Sequence, residues 1–199
     1  MADLVKANGS TMRSRWAARV RRCAGTEAAQ VVELAVSLPL LLVIAIGITD
    51  FGTALNLKHQ LIIAVREGAR LASNQSTADL TNPAPASVDA VRQAVDGSLV
   101  GAKINDCGLS AAVATQAATG LVWTYTASGC PAGTLTLTID RGSTFLTTGS
   151  PPVTVEATHV SISYPFQWRF NGVITLLVPG ARYSAVSQIT TDVTMQNLN

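Results

Sequence analysis

Hydrophobic positions follow two different patterns along the chain, and the first is an almost unbroken aliphatic run, Val31–Ile48, whose only charged residue is Glu33. At roughly 1.5 Å of rise per residue, a helix of this length covers about 27 Å, close to the hydrocarbon thickness of a bilayer. The run therefore predicts one retained transmembrane helix over about 31–50. A cleavable secretory signal is the alternative, because Thr53 and Ala54 are small enough for a signal-peptidase site.

The helical pattern continues beyond the apolar run. Apolar residues recur at spacings of three and four, which is typical of one helix face, at Phe51, Leu55, Ile62, Val65, Ala69 and Ala72. We predict one long helix over 28–73, whose second half packs against the rest of the chain. Pro39 lies inside the run, where membrane helices tolerate a proline with a local kink. Gly52 predicts a second bend, since glycine weakens a helix locally.

The remainder, residues 74–199, has the pattern of a small folded domain. A short amphipathic helix is predicted over 87–101, with Ser87 as its N-cap. Alternation of apolar and polar residues then predicts strands at Leu121–Thr126, Thr134–Asp140, Val153–Tyr164 and Tyr183–Met195. We expect turns at Ala127–Gly133 and Asp140–Gly142, and a short helix within Phe166–Val178. These elements predict an α+β fold, in which a long N-terminal transmembrane helix continues into a domain with a small antiparallel sheet.

Charge gives the chain an orientation. The net charge of +2 is too weak to indicate nucleic-acid binding, but the segment before the apolar run is basic. Its cations are Lys6, Arg13, Arg15, Arg19, Arg21 and Arg22, opposed only by Asp3 and Glu27. Short basic flanks stay on the cytoplasmic side of a membrane. We therefore expect residues 1–27 to form a cytoplasmic arm or leader, and residues 74–199 to lie outside the cytoplasm.

The three cysteines fit this orientation. Cys107 and Cys130 belong to the exported part and are a candidate disulfide pair in an oxidising compartment. Cys23 lies on the basic arm, where we expect a reduced thiol. The cysteine spacing does not indicate a zinc site, and the chain has only two histidines, His59 and His159.

Catalytic motifs are absent from the sequence. There is no G-x-S-x-G, Walker loop, H-E-x-x-H or pair of CxxC motifs. His159 and Glu156 lie on opposite faces of one predicted strand, which argues against a dyad. Asp50 is a candidate ion or proton site, although a carboxylate at a helix exit is usually solvated. We predict no enzymatic activity and no cofactor or metal.

Aromatic residues in the second half offer a candidate surface for stacking a sugar or a nucleic acid. They are Trp123, Tyr125, Tyr164, Phe166 and Trp168. Packing in the core is the expected use of most of them.

Four short segments carry a family resemblance. They are Glu33-Leu34-Ala35, Leu38-Pro39-Leu40, Asp50-Phe51-Gly52 and Ala64-Val65-Arg66-Glu67-Gly68-Ala69-Arg70. In this order and spacing they resemble the N-terminal module of TadE-like proteins, minor pseudopilins of the tight-adherence (Flp-type) pilus system of bacteria. The likeness covers Gly25 to Ala72, and the later segment Val160–Phe166 is similar in a less distinctive way. It implies a single-pass subunit of the cytoplasmic (inner) membrane that takes part in pilus assembly and cell adhesion with other pilus-assembly subunits.

The resemblance also implies a processing enzyme as a partner. Some family members are cut by a prepilin peptidase after a glycine, so that a glutamate becomes the fifth residue of the mature chain. Here Glu33 is fifth only after cleavage between Ala28 and Ala29, whereas cleavage after Gly25 makes it eighth. Both positions stay candidate processing sites.

Several residues of the long helix are candidate contacts to other subunits. A carboxylate such as Glu33 near an apolar boundary is costly unless it is paired. In a filament its partner would be a neighbour's N-terminal ammonium, which would fix the axial register. The alternative is a solvated carboxylate, or one paired with a nearby arginine. Glu67 and Arg70 are three residues apart and are predicted to pair on the helix surface. With Arg66 they form either a contact to partners or a solvated face.

Two functions are therefore left open by the sequence. The first is a non-enzymatic assembly subunit whose helix contacts are drawn from Glu33, Pro39, Asp50, Gly52, Arg66, Glu67 and Arg70. The second is an extracytoplasmic binding domain for which the helix is only a tether. An unrelated apolar helix should replace the natural one in the second case and fail in the first.

Overall fold

The computed structural model describes residues 27–169, residue 172 and residues 186–198. The basic arm, Cys23, Gly25 and most of the predicted helix within Phe166–Val178 lie outside these residues. The helices are α1 (Glu27–Asn74) and α2 (Ala86–Gly101), with a short 3-10 turn at Leu109–Ala111. The strands are β1 (Ala114–Gln116), β2 (Val122–Cys130), β3 (Gly133–Leu146), β4 (Thr154–Gln167) and β5 (Val186–Gln196).

The five strands form one antiparallel sheet in the order β1-β2-β3-β4-β5, so each strand pairs with its neighbour in sequence. A long N-terminal helix followed by a small antiparallel sheet confirms the predicted α+β class. Strand β1 was not predicted, because its three residues are too few to show an alternating pattern.

The chain divides into two compact units between Ile48 and Thr49. We call Val31–Ile48 the anchor segment, and the described residues from Thr49 onward the head. The head thus includes the second half of α1, since apolar side chains from that half belong to its hydrophobic core.

The core of the head lies between the helices and one face of the sheet. Helix α1 contributes Leu61, Ala64, Val65, Ala69 and Ala72, and α2 contributes Val88, Val91, Val95 and Leu99. Trp123 lies opposite Ile139 in the sheet, and Leu137 lies opposite Ile162, so these large side chains share the inner face. Burying such side chains is the dominant stabilising term of a domain of this size.

Part of the predicted apolar face of α1 is not buried. Phe51 and Leu55 are 63% and 66% exposed. The prediction that this face is buried against the domain was wrong at these two residues, because periodicity marks an apolar face without showing which neighbouring element covers it. The continuous buried face begins at Leu61.

At Gly68, helices α1 and α2 pack so closely that there is no room for a side chain. A Cβ atom at this position would lie 2.6 Å from Cγ2 of Val95 and 3.4 Å from Cγ1 of Val91. Only a residue without a side chain fits without moving the valines, so helix packing explains this glycine.

The start of α2 differs from its prediction. Pro85 occupies the N-cap position, and Ser87 lies inside the first turn. The amide and hydroxyl of Ser87 donate to the Asp79 carboxylate at 2.8 and 2.7 Å. A carboxylate from the preceding loop thus satisfies a first-turn amide that has no partner within the helix, and Ser87 is not the cap.

Two predicted turns in the sheet also differ. The segment Asp140–Gly142 lies inside β3, where the pairing with β4 shifts between Asp140 and Ser143 as in a β-bulge. The prediction of a turn there was wrong, because Arg141 turns inward and is only 3% exposed. The predicted turn over Ala127–Gly133 is shorter, since β2 extends to Cys130 and β3 begins at Gly133.

Candidate functional site

The anchor segment is a helix most of whose large apolar side chains are exposed. The exposed ones range from 46% at Leu42 to 70% at Val36, and Val43 and Ile46 are half-buried. The helix is long and apolar enough to cross a membrane, with a mean hydropathy of 2.6 over an 18-residue window that is 0% buried. Such a surface needs lipid or other apolar helices around it.

Glu33 interrupts this apolar surface. It is exposed and lies in a shallow groove along one helix face, lined also by Ala29, Val32, Val36, Ser37 and Leu40. The Ser37 hydroxyl donates to the carbonyl of Leu34 at 3.3 Å, so it is satisfied within the helix. The carboxylate is therefore the group on this face for which an external partner would matter most.

The middle of α1 carries the other candidate contacts. Pro39 lies inside the helix, where it removes one amide donor. Asp50 is only 3% exposed, so the expectation of a solvated carboxylate was wrong. Gly52 is exposed, and a Cβ atom there would have open space around it. No packing within the described chain requires a glycine at position 52, in contrast to Gly68.

Arg66, Glu67 and Arg70 are exposed on the head half of α1, and we call them the charged ridge. Two bonds join one pair: Arg70 Nη2 to Glu67 Oε1 at 2.6 Å, and Arg70 Nε to Glu67 Oε2 at 3.1 Å. The predicted ion pair is thus confirmed. At this exposure the ion pair contributes little to stability.

These candidate residues do not converge on one site. Asp50 and Glu67 are separated by about 26 Å along the helix axis, at 1.5 Å per residue. Glu33 belongs to the other unit of the chain. Ala28 lies in α1, and Gly25 falls outside the described residues. The candidate residues are therefore separate positions along the sequence of α1 and not one pocket.

The structure joins Cys107 to Cys130 through a disulfide with a Cα–Cα distance of 4.6 Å. The backbone is packed tightly at the same place. Gly129 donates its amide to the Cys107 carbonyl at 2.8 Å, and a Cβ at Gly129 would lie 2.6 Å from that oxygen. The segment between the cysteines is therefore pinned by a covalent bond and by a close backbone contact.

Most of the aromatic residues serve the core. Trp123, Tyr125 and Tyr164 are 0%, 2% and 8% exposed, and the Trp123 indole donates to the carbonyl of Pro83 at 3.2 Å. Burial, with a smaller contribution from Asp89, raises the pKa of Tyr125 to about 12. The expected use of these three in core packing is confirmed, and they are not available as a ligand surface.

Sequence reasoning missed two surface arrangements. The Trp168 ring lies 5.3 Å from the Phe51 ring, which is distant in sequence. His159 Nε2 lies 3.3 Å from Asp192 Oδ2 on the neighbouring strand, whereas only Glu156 had been weighed as its partner. Knowing the register of β4 against β5, in which Asp192 lies opposite Ser161 and thus diagonal to His159, would have revealed the His159–Asp192 pair. In the described part of the chain, no group of three or more metal-ligating residues occurs.

Asp96 carries a carboxyl group whose charge is disfavoured by burial. Its Oδ1 atom is buried with no hydrogen-bond partner among the described residues. Burial, followed by the nearby Asp106, raises the pKa of Asp96 above its ordinary value. The charged form is thus penalised in the folded state. The stability linked to this group is fully present below the ordinary carboxyl pKa and is lost as the pH rises through the raised value.

We expect Asp96→Asn to raise the melting temperature at neutral pH by about 2–4 °C, because asparagine keeps the shape and removes the penalised charge. The gain should disappear below about pH 4, where the carboxyl is protonated. Asp89→Asn is the matched control of opposite sign, since the hydrogen bond from Arg92 lowers the pKa of Asp89. Thermal unfolding at two pH values checks both, and a lower melting temperature for Asp96→Asn at neutral pH would contradict the argument.

Comparison with known proteins gives one match. The family model described as TadE-like protein matches residues 28–70, which confirms the resemblance predicted from the sequence. The match covers less than half of the 199-residue chain, and it coincides with the anchor segment and the helix up to the charged ridge. No curated protein and no solved structure matches the chain significantly.

Proposed function

We propose that this chain is a non-enzymatic pseudopilin of a tight-adherence type pilus, held in the inner membrane by its anchor segment. One observation carries the proposal: the TadE-like match falls on 28–70, which contains the exposed apolar anchor segment and most of the part of α1 that belongs to the head. The basic arm then lies in the cytoplasm and the head lies outside it, by the positive-inside rule. Other pilus-assembly subunits are the proposed partners.

The anchor segment supports an assembly role beyond tethering. Small residues, Ala35, Ala45 and Gly47, lie among its larger side chains and permit close approach of a second helix. Glu33, exposed within an apolar groove, would find its partner in the N-terminal ammonium of a neighbouring subunit. Such a pair is strong where water is excluded, and it would select one axial register.

The head offers further contacts of the same kind. Gly52 is open to close approach by another chain. The charged ridge presents Arg66 beside the Glu67–Arg70 pair, all exposed on one helix. We propose that these residues contact neighbouring subunits and that the Cys107–Cys130 bond forms in the oxidising compartment outside the inner membrane.

The test replaces residues 31–48 in the full-length chain with an unrelated leucine-alanine helix of equal length, and expresses it in cells lacking the natural protein. We expect the variant to remain in the membrane fraction and piliation and surface adhesion to be lost. A conservative variant, Ile44→Leu, is the control and should pilate normally. Normal piliation with the replaced helix would contradict an assembly role and indicate the alternative, a tethered binding domain.

The same membrane extracts test the proposed prepilin peptidase. An N-terminus at Thr26 or Ala29 would support processing and would place a free ammonium within reach of a neighbour's Glu33. An uncut arm would overturn that pairing, and the protein would then act as a permanently anchored assembly component.

A further inference from the structure

A patch of exposed apolar and cationic side chains lies on the head at the beginning of its share of α1. Phe51 is 63% exposed and Leu55 is 66% exposed, one helical turn apart. Lys58 follows one turn later on the same face and is also exposed. Together with Trp168 they line an open groove beside the first residues of β5. We call these four residues the boundary patch.

Trp168 is held firmly in this patch. Its ring lies 5.3 Å from the Phe51 ring and 5.0 Å from the Phe166 ring. Its indole nitrogen donates to the Ser187 hydroxyl at 2.8 Å. The tryptophan is thus half-buried and oriented, with its polar edge satisfied by the protein, while large apolar neighbours remain exposed to the surroundings.

The position of the patch along the chain identifies its partner. Phe51 follows Ile48, the last residue of the exposed anchor segment, by three residues on the same helix. At about 1.5 Å per residue, this places Phe51 roughly 4.5 Å, and Leu55 roughly 10 Å, along the helix beyond the apolar run. When the run spans a hydrocarbon core of about 30 Å, the headgroup layer on each side is roughly 5–7 Å deep, so Phe51 falls within this layer and Leu55 lies just beyond its outer edge.

The composition of the patch fits the same layer. Tryptophan and other aromatic rings concentrate at the interface between lipid and water. Lysine can lie along apolar surface while its ammonium reaches the phosphates. Arg169, next to Trp168 in the chain, is exposed and adds a second cation.

We propose that the boundary patch inserts into the headgroup layer of the bilayer that holds the anchor segment, and so fixes the head against the membrane surface. This inference rests on the membrane anchoring in the proposed function, but not on the pilus role. A second copy of the chain is the competing occupant, and the test below separates the two.

The experiment reconstitutes the full chain, carrying Trp16→Phe, into vesicles of phosphatidylcholine and phosphatidylglycerol with bromine near the top of the acyl chains. Two tryptophans then remain, Trp123, which is 0% exposed, and Trp168. We expect the brominated lipid to remove about half of the emission, because one of the two indoles lies at the interface. Adding Trp168→Phe should abolish the quenching, and adding Phe51→Trp to that double variant should restore it.

Equal emission in brominated and ordinary vesicles, for a chain that floats with the vesicles, would overturn the boundary patch and leave the anchoring intact. A chain that does not float would overturn both. An emission change that depends on the protein-to-lipid ratio and not on bromine would assign the patch to a second copy, and would equally overturn insertion.

Discussion

Replacing Arg141 with methionine should lower the free energy of unfolding of the head by about 3 kcal/mol, a large part of the stability of a domain of this size. The side chain is 3% exposed. Its Nη1 donates to the carbonyl of Ala72, and its Nη2 donates to the carbonyl of Gln75 at 3.0 Å. Methionine fills a similar volume and can make neither bond.

The reason for so large an effect is the position of those carbonyls. Ala72 lies in the last turn of α1, whose final carbonyls have no partner within the helix. The Ala72 carbonyl also accepts from the Gln75 amide at 3.1 Å, and the guanidinium adds a charged donor that matches the negative end of the helix dipole. Burial lowers the pKa of Arg141, and the nearby Asp79 acts in the opposite direction. Replacing the arginine removes two charge-assisted hydrogen bonds at the end of α1.

The measurement is denaturant unfolding of the detergent-solubilised full chain, followed by tryptophan emission. Arg66→Met is the matched control, because Arg66 is exposed on the charged ridge, and we expect it to change stability by less than about 0.5 kcal/mol. Arg141→Lys keeps the charge but loses the planar guanidinium that donates to two carbonyls. Its free energy of unfolding should therefore lie between those of Arg141→Met and Arg66→Met. Equal stabilities for Arg141→Met and Arg66→Met would contradict the capping role.

The features that sequence reasoning predicted correctly are governed by neighbours on the same helix or strand. The apolar run from Val31 to Ile48 is continuous in sequence, and its length is that of one helix, so it can be recognised without knowing any distant partner. The Glu67–Arg70 pair follows from helical spacing alone. The strands followed from alternation, which is a property of one strand and its two faces.

The features that were missed depend on partners far along the chain. Arg141 reads locally as a turn residue beside a glycine, and only its contact with Ala72 explains why it lies inside a strand. Ser87 reads as a cap until the Asp79 carboxylate takes both of its donors. Phe51 reads as a core residue until the core is seen to begin further along the helix. Each error arose because a tertiary contact overrode a correct local preference.

The same division applies to the candidate site. The resemblance identified the helix that a TadE-like match later covered. It gave no sign of the boundary patch, because Phe51 and Trp168 are far apart in sequence and meet only through the tertiary fold. A contact surface made by one helix is visible in sequence, whereas one made by a helix and a strand end is not.

Removing the disulfide should cost about 3 kcal/mol of unfolding free energy and lower the melting temperature by about 6–12 °C. Cys107 and Cys130 are separated by 23 residues, and the bond restricts the unfolded chain over that whole loop. The loop includes β1 and most of β2, so the edge of the sheet depends on it. Cys107 is itself a core residue, only 2% exposed, and a polar replacement there adds to the loss.

The comparison uses the full chain with both cysteines changed to serine, against the natural chain with and without dithiothreitol. Reductant should lower the stability of the natural chain to somewhat above that of the double variant, which carries the added cost of a buried serine, and should leave the double variant unchanged. Cys23→Ser is the control and should unfold like the natural chain in both conditions. If the protein extracted from cells resists thiol labelling at Cys107 and Cys130 while Cys23 is labelled, the three cysteines lie in two redox compartments. That result would place the membrane between the basic arm and the head, whereas full labelling of all three would contradict export of the head.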